Sequence, residues 1–376
     1  MRKAIYWATF FFTLNYAFLL YINSSFLGKF FSEAGVNALY AGSAVIAILS
    51  LSKIPHIINH HRRYWVTSSL LIIGSLASIG LAFSVTPLLI AALFLLINAI
   101  QILLRFILDI YLEQFSRVSD TGMTRAIELT VMNVAVAISP FIVGTLTRGQ
   151  DFSLVYLTAG LLLIPTLIII LVKFSKVKHK QYVESNFFSS LGKIWKIRAL
   201  RSSFAANFLL EFFYTWMTIY VPIYLSQVIG FSWSEIGIIL TIMLLPFIFF
   251  ELPFGKIADA LTGEGSILSI GFFLAAFFTL VLAFLHTKNL YAWAMILFMT
   301  RIGASAIEIM SEAHFFKNVS IHDANLLGVF RDTRPLALMA APLVGNLIMP
   351  YYGYTGIYIA LAVIMLWGVK YGFEME

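Results

Sequence analysis

Cysteine is absent from all 376 residues, which rules out disulfides, thiol nucleophiles and cysteine-ligated zinc. Charge is scarce as well: Asp, Glu, Lys and Arg make up 11% of the chain, against about 25% in soluble domains. Too few ionised groups remain to coat a water-facing surface of this size. His60 and His61 stand side by side in "NHHRRY", a basic stretch without acids, so no metal or other cofactor is expected. No clustered nucleophile and base is found either, and no enzymatic activity is expected.

What is there is hydrocarbon. Hydrophobic residues make up 60% of the chain, and the mean hydropathy is +0.91. Apolar runs of about 20 residues, enough to cross a hydrocarbon layer of about 30 Å as helix, recur from end to end. The expectation is an all-α membrane protein with twelve spans, near 4–27, 33–54, 65–84, 87–109, 125–146, 153–173, 202–225, 233–253, 266–285, 291–312, 326–348 and 354–371. The first follows "MRK" without a small-residue cleavage site and reads as a retained helix.

Short loops rich in Lys and Arg stay cytoplasmic. With the N-terminus inside, all of the 25 Lys and Arg fall on the inner side except Lys29, Arg148, Lys288 and Arg301. Both termini are therefore expected in the cytoplasm of a multi-pass cell-membrane protein. The net charge of +7 reflects this bias and contact with anionic lipid, and no nucleic-acid partner is inferred from it.

The stretch 173–201 holds eight Lys or Arg and one Glu, dividing the chain into an N-terminal bundle, 1–172, a basic cytoplasmic linker, 173–201, and a C-terminal bundle, 202–376. In the linker, Phe187, Leu191, Ile194 and Trp195 share one helical face opposite Lys193, Lys196 and Arg198, as in a helix lying at the membrane interface. A plain basic linker obeying topology rules is the simpler reading. The two halves repeat at an offset near 200: "SEAG" at 32–35 matches "SEIG" at 234–237, "PHIIN" at 55–59 matches "GKIAD" at 255–259, and "AISPFIVG" at 137–144 matches "MAAPLVG" at 339–345. Parallel six-helix repeats build one large class of secondary transporters.

On these residues the chain resembles the major facilitator superfamily. That family's loop signature is roughly G-x-L-A-D-R-x-G-R-R, and "GKIADALTGEG" keeps Gly255, Asp259 and Gly263 but has Ala260 where Arg is expected. In the first half Pro55, Asn59 and His60 stand where Gly, Asp and Arg would be. The resemblance implies two pseudo-symmetric six-helix bundles and a cytoplasmic latch. Asp259 would meet the inner end of the fifth span near Arg125, and Asn59 would approach Arg331 or Arg334 with only a neutral hydrogen bond. Pro140 and Gly144 fit part of a family pattern associated with antiporters, or serve close helix packing.

Three spans carry polar stripes. Arg301, Ser305, Glu308 and Glu312 fall within an arc of about 60° on the tenth span. On the fourth, Asn98, Gln101, Arg105 and Asp109 lie within about 80°, as do Asn207, Glu211, Thr215 and Thr218 on the seventh. The resemblance implies that the first, fourth, seventh and tenth spans surround a central substrate cavity; the first offers Asn15 without a clear stripe. A charge at the bilayer centre costs roughly 2.5–3.5 kcal/mol, so such groups turn toward partners or a wet cavity. Arg301 falls about 15 Å from the outer end of its span, at a depth where it can face Glu211. Arg105, Asp109 and Glu312 lie nearer the cytoplasmic rim, where gating and snorkelling account for them equally well.

The expected function is secondary transport of a small organic solute by alternating access in a monomer. Arg301 would bind an anionic or polar group, and Glu211 or Glu308 would carry a proton. Export is placed before uptake. A fixed Glu–Arg pair holding helices together, and a membrane enzyme or non-transporting sensor, are the competing readings.

Overall fold

The computed structural model describes the chain apart from residues 116–120, 176, 178–186, 252, 256–263, 319–325, 327–328, 331–332 and 376; for 52, 55, 56, 59, 113, 121–126 and 187–191 it describes the backbone alone. Among the described residues every regular element is helical. In chain order they are α1 (Arg2–Leu20), α2 (Asn23–Leu27), α3 (Glu33–His60), α4 (Arg63–Phe83), α5 (Pro87–Phe115), α6 (Thr121–Leu146), α7 (Ser153–Ile169), α8 (Phe187–Lys196), α9 (Arg198–Ile223), α10 (Trp233–Phe249), α11 (Glu264–Ala283), α12 (Leu290–Asn318) and α13 (Thr333–Met375). Both α7 and α9 run on into a short π-helical segment, Ile170–Phe174 and Tyr224–Val228.

Ten helical stretches among these residues are long and apolar enough to cross a membrane. The 43-residue α13 is two spans in one, because Gly353 interrupts it with φ 59° and ψ −158°. The break falls between the expected spans 326–348 and 354–371. The expected first span is itself divided: Tyr21 closes α1, and α2 opens at Asn23 with Ser24 and Ser25 following. Asn and Ser compete with the helical backbone for hydrogen bonds, which favours an interruption there.

The chain forms two compact units, one of Met1–Glu184 with Ser232–Gly237, the other of Ser185–Phe231 with Ile238–Glu376. In the first, buried polar side chains pin helices to one another's carbonyls. Asn15 Nδ2 donates to Ala159 O at 2.8 Å, Ser75 Oγ to Gly160 O at 2.8 Å and Thr166 Oγ1 to Ala8 O at 3.1 Å. With no water in a bilayer core, partners of this kind are what make buried polar groups tolerable. Ser32 caps α3 by accepting from Gly35 N. In the corresponding place at the head of α10, Ser232 and Glu235 make a reciprocal capping box. The repeat is thus carried by Ser232, two residues before the Ser234 that the sequence match selects; the Ser234 hydroxyl donates to Gly144 O at 3.2 Å.

In the second unit α9 packs on α12 and α13, and α11 on α12 and α13. Trp216 Nε1 donates to Ala341 O at 2.6 Å and Asn207 Nδ2 to Thr333 Oγ1 at 2.6 Å, locking α9 to α13. The contact of α11 with α12 closes on two glycines: a Cβ on Gly303 would lie 2.5 Å from Gly271 O, and one on Gly271 would lie 2.8 Å from Gly303 O. That crossing fixes the rotation of α12. Arg301, two residues before Gly303 and so about 200° away around the helix, faces away from α11.

Candidate functional site

Arg301 stands on α12 about 16 Å from its first residue, by helical rise, and is 2% exposed. Its guanidinium carbon lies 5.0 Å from the centre of the Phe213 ring and 5.2 Å from that of Tyr214, both on α9. Aromatic faces attract cations, yet they offer no lone pair. Among the described residues, Arg301 Nε and Nη1 have no hydrogen-bond acceptor. A buried cationic donor in that state is costly unless something else supplies the acceptor.

Two turns further along α12, about 10 Å by helical rise, Glu308 accepts a 2.8 Å hydrogen bond from Tyr214 OH. The phenol therefore joins two charged members of the stripe, capping the Arg301 cation with its ring and holding the Glu308 carboxylate with its hydroxyl. Phe247 of α10 braces it, with ring centres 6.0 Å apart. Glu211, one turn before Tyr214 on α9, lies 4.0 Å from Arg334 Nε of α13. Its side chain is 20% exposed and that of Arg334 56%, so the group grades from an open rim at Arg334 to a closed end at Arg301.

This arrangement differs in one respect from the depth-based expectation. Arg301 and Glu211 make no ion pair: the carboxylate is turned to Arg334, a residue that the family resemblance placed at the cytoplasmic gate. Helical rise gives depth, whereas pairing depends on side-chain direction. Ser305 and Thr215 donate to their own helices, at Ile302 O (3.0 Å) and Glu211 O (2.8 Å). Glu312 is half-buried farther along α12.

In the first unit the polar stripe of α5 is largely engaged with protein. Gln101 Nε2 donates to Asn15 Oδ1 at 3.3 Å, and both side chains are buried. Asn98 Nδ2 donates to Phe94 O on its own helix at 2.9 Å. Arg105 pairs with Asp109 at 3.4 Å and with buried Glu128 of α6 at 3.6 Å. Gly144 on α6 meets α10 closely: a Cβ there would lie 2.6 Å from Trp233 O, so packing alone requires the glycine, whereas Pro140 lies within α6. Of the expected latch, Asp259 and Arg331 lie outside the described residues, as do the side chains of Asn59 and Arg125; Gly255 is half-buried.

Phe213 and Tyr214 escaped the sequence reading. Tyr214 shares the arc of Asn207, Glu211 and Thr215, but in a chain that is 16% aromatic an aromatic on a polar face does not stand out.

Membrane-spanning helices in two units, with charged side chains buried along helix faces, are the architecture of a polytopic membrane protein. The family model described as Major Facilitator Superfamily matches residues 5–306 and, a second time, 204–369. The chain belongs to that family and is a multi-pass secondary transporter. Among solved structures it is similar to the nucleoside transporter NupG, with a TM-score of 0.78, 14% identity and coverage of 100% of this chain and 99% of that one. It is likewise similar to a POT family transporter in complex with a thioalcohol-conjugated peptide, with a TM-score of 0.79, 14% identity and coverage of 98% and 94%. At such identities the likeness is one of fold. No curated protein matches the chain.

Proposed function

We propose that the protein carries a small organic solute bearing an anionic group, by alternating access and in exchange for protons. The observation that carries this reading is the buried guanidinium of Arg301, whose Nε and Nη1 find no acceptor among the described residues. A cation placed at membrane depth only to hold helices together would be ion-paired, and Arg301 makes no ion pair among the described residues. A carboxylate or phosphate on the solute supplies the missing acceptor, and the flanking rings of Phe213 and Tyr214 offer an apolar wall beside it. Glu308 and Glu211 are the carboxylates that take up and release the proton, in competition with the solute for the cations Arg301 and Arg334. Export is the direction proposed, from the partial antiporter pattern at Pro140 alone since packing accounts for Gly144, and an inward N-terminus is supported by the distribution of Lys and Arg. A cell-membrane location and a monomeric state belong to the same proposal.

Purified protein in liposomes, offered a panel of organic anions and their neutral analogues with and without an imposed pH gradient, tests this. Uptake of anions accelerated by the gradient is expected. Equal transport of neutral analogues, or indifference to the gradient, would refute the anion site or the coupling respectively. Vesicles of opposite sidedness read the direction.

A further inference from the structure

The start of the second unit carries a surface that the transport cycle leaves unexplained. From Ser185 to Leu210 there is no acidic residue, while Lys193, Lys196 and Arg198 are exposed and Arg201 is partly so. None of the four has an ion-pair partner among the described residues. Between them Trp195 is 57% exposed and Ile197 49%. The rotation of α8 is set by Ile194, which is fully buried in one hydrophobic cluster with Leu200, Phe204, Phe315 and Phe330. Burying Ile194 leaves Trp195 and the two lysines outside. The membrane-crossing α9 starts at Arg198, so this patch sits where a span meets the headgroups.

We propose that the segment Lys193–Arg201 is a docking surface for the headgroups of anionic phospholipids. Amphipathic Trp and aliphatic Ile favour the boundary between headgroup and acyl chain, and the cations are matched in charge by phosphate. Because Ile194 shares one buried cluster with Phe315, about two turns beyond Glu308 on α12, lipid held by α8 also braces the end of the helix that carries Arg301. The partner is lipid rather than an acidic protein, since exposed Trp195 and Ile197 adjoin a membrane-crossing helix.

The full-length protein in mixed micelles, titrated with brominated phosphatidylglycerol or brominated phosphatidylcholine, tests the proposal. The quenching due to Trp195 is taken as the difference from Trp195→Phe. The anionic lipid should quench at much lower mole fraction than the zwitterionic one. The double variant Lys193→Gln, Lys196→Gln should need roughly 25-fold more of it, about fivefold for each cation removed. The variant Lys3→Gln, Lys53→Gln removes the same charge elsewhere and should behave as wild type. Equal quenching by both lipids, or equal weakening in both double variants, would overturn the proposal. So would displacement of the anionic lipid by soluble inorganic phosphate at comparable concentration, which would mean a site for free anions. The outcome is independent of whether Arg301 binds a solute.

Discussion

A single 2.8 Å hydrogen bond ties Tyr214 of α9 to Glu308 of α12, and the same phenol ring lies 5.2 Å from the guanidinium carbon of Arg301. Arg301 and Glu308 are about two turns apart on one helix and make no ion pair with each other. Tyr214 therefore spans the gap, touching the cation with its ring and the carboxylate with its hydroxyl.

Removing only the hydroxyl separates the two roles. Tyr214→Phe keeps the ring over Arg301, so solute affinity should stay within about threefold, while the ionised carboxylate loses a hydrogen bond worth roughly 1.5–3 kcal/mol. The pH profile of transport should then move toward the alkaline side. Rates measured across pH in liposomes check this; an unmoved profile would leave Tyr214 as packing only.

Arg301→Ala should weaken binding of an anionic solute about 10- to 100-fold, the usual loss for a charge-assisted hydrogen bond. Arg301→Lys keeps the charge but not the planar fork and should recover only part of it. Equilibrium binding to detergent-solubilised protein separates this from any effect on turnover.

Gly353 holds φ 59° and ψ −158°, a region essentially reserved for glycine. Gly353→Ala should cost about 1–3 kcal/mol, seen as a lower thermal unfolding midpoint. Gly192 lies inside α8, outside the membrane-crossing helices, with open space around it, and Gly192→Ala should leave the midpoint unlowered or raise it slightly.

Just ahead of α7, the Ser153 side chain hydrogen-bonds the Asp151 carboxyl and holds it below the ordinary value, helped by the 2.9 Å bond from Ser153 N and, more weakly, by Lys29. A depressed folded pKa means that the stabilisation is complete above the unfolded value of about 3.9 and disappears as pH falls through the lower folded one. Thermal midpoints of wild type and Asp151→Asn should differ slightly at pH 6, and the difference should shrink steadily as the pH is taken below the unfolded value of about 3.9. A difference that persists in acid would assign the effect to shape rather than charge.

Hydropathy made the spans legible because lipid demands long apolar runs and backbone bonds satisfied within the segment. Even the division of α13 was visible, as the break at Gly353 lies between two apolar runs. The polar stripes on α5, α9 and α12 were visible from spacing. Pairing was not, since Glu211 turns to Arg334 on a helix distant in sequence. Asn15 and Gln101 likewise looked like cavity lining, but periodicity cannot tell an open face from one where two amides meet.

Of the ten stretches long and apolar enough to cross a membrane among the described residues, the one formed by α9 is the least apolar, and 78% of its 18-residue apolar segment is buried inside the protein, against 33% for that of α6. Lipid contributes little to holding it. During synthesis α9 leaves the ribosome before α12 and α13, the helices that cover its polar face. Its stable residence in the bilayer must therefore await chain that has not yet been made, and α9 is the segment where biogenesis depends most on help from its successors.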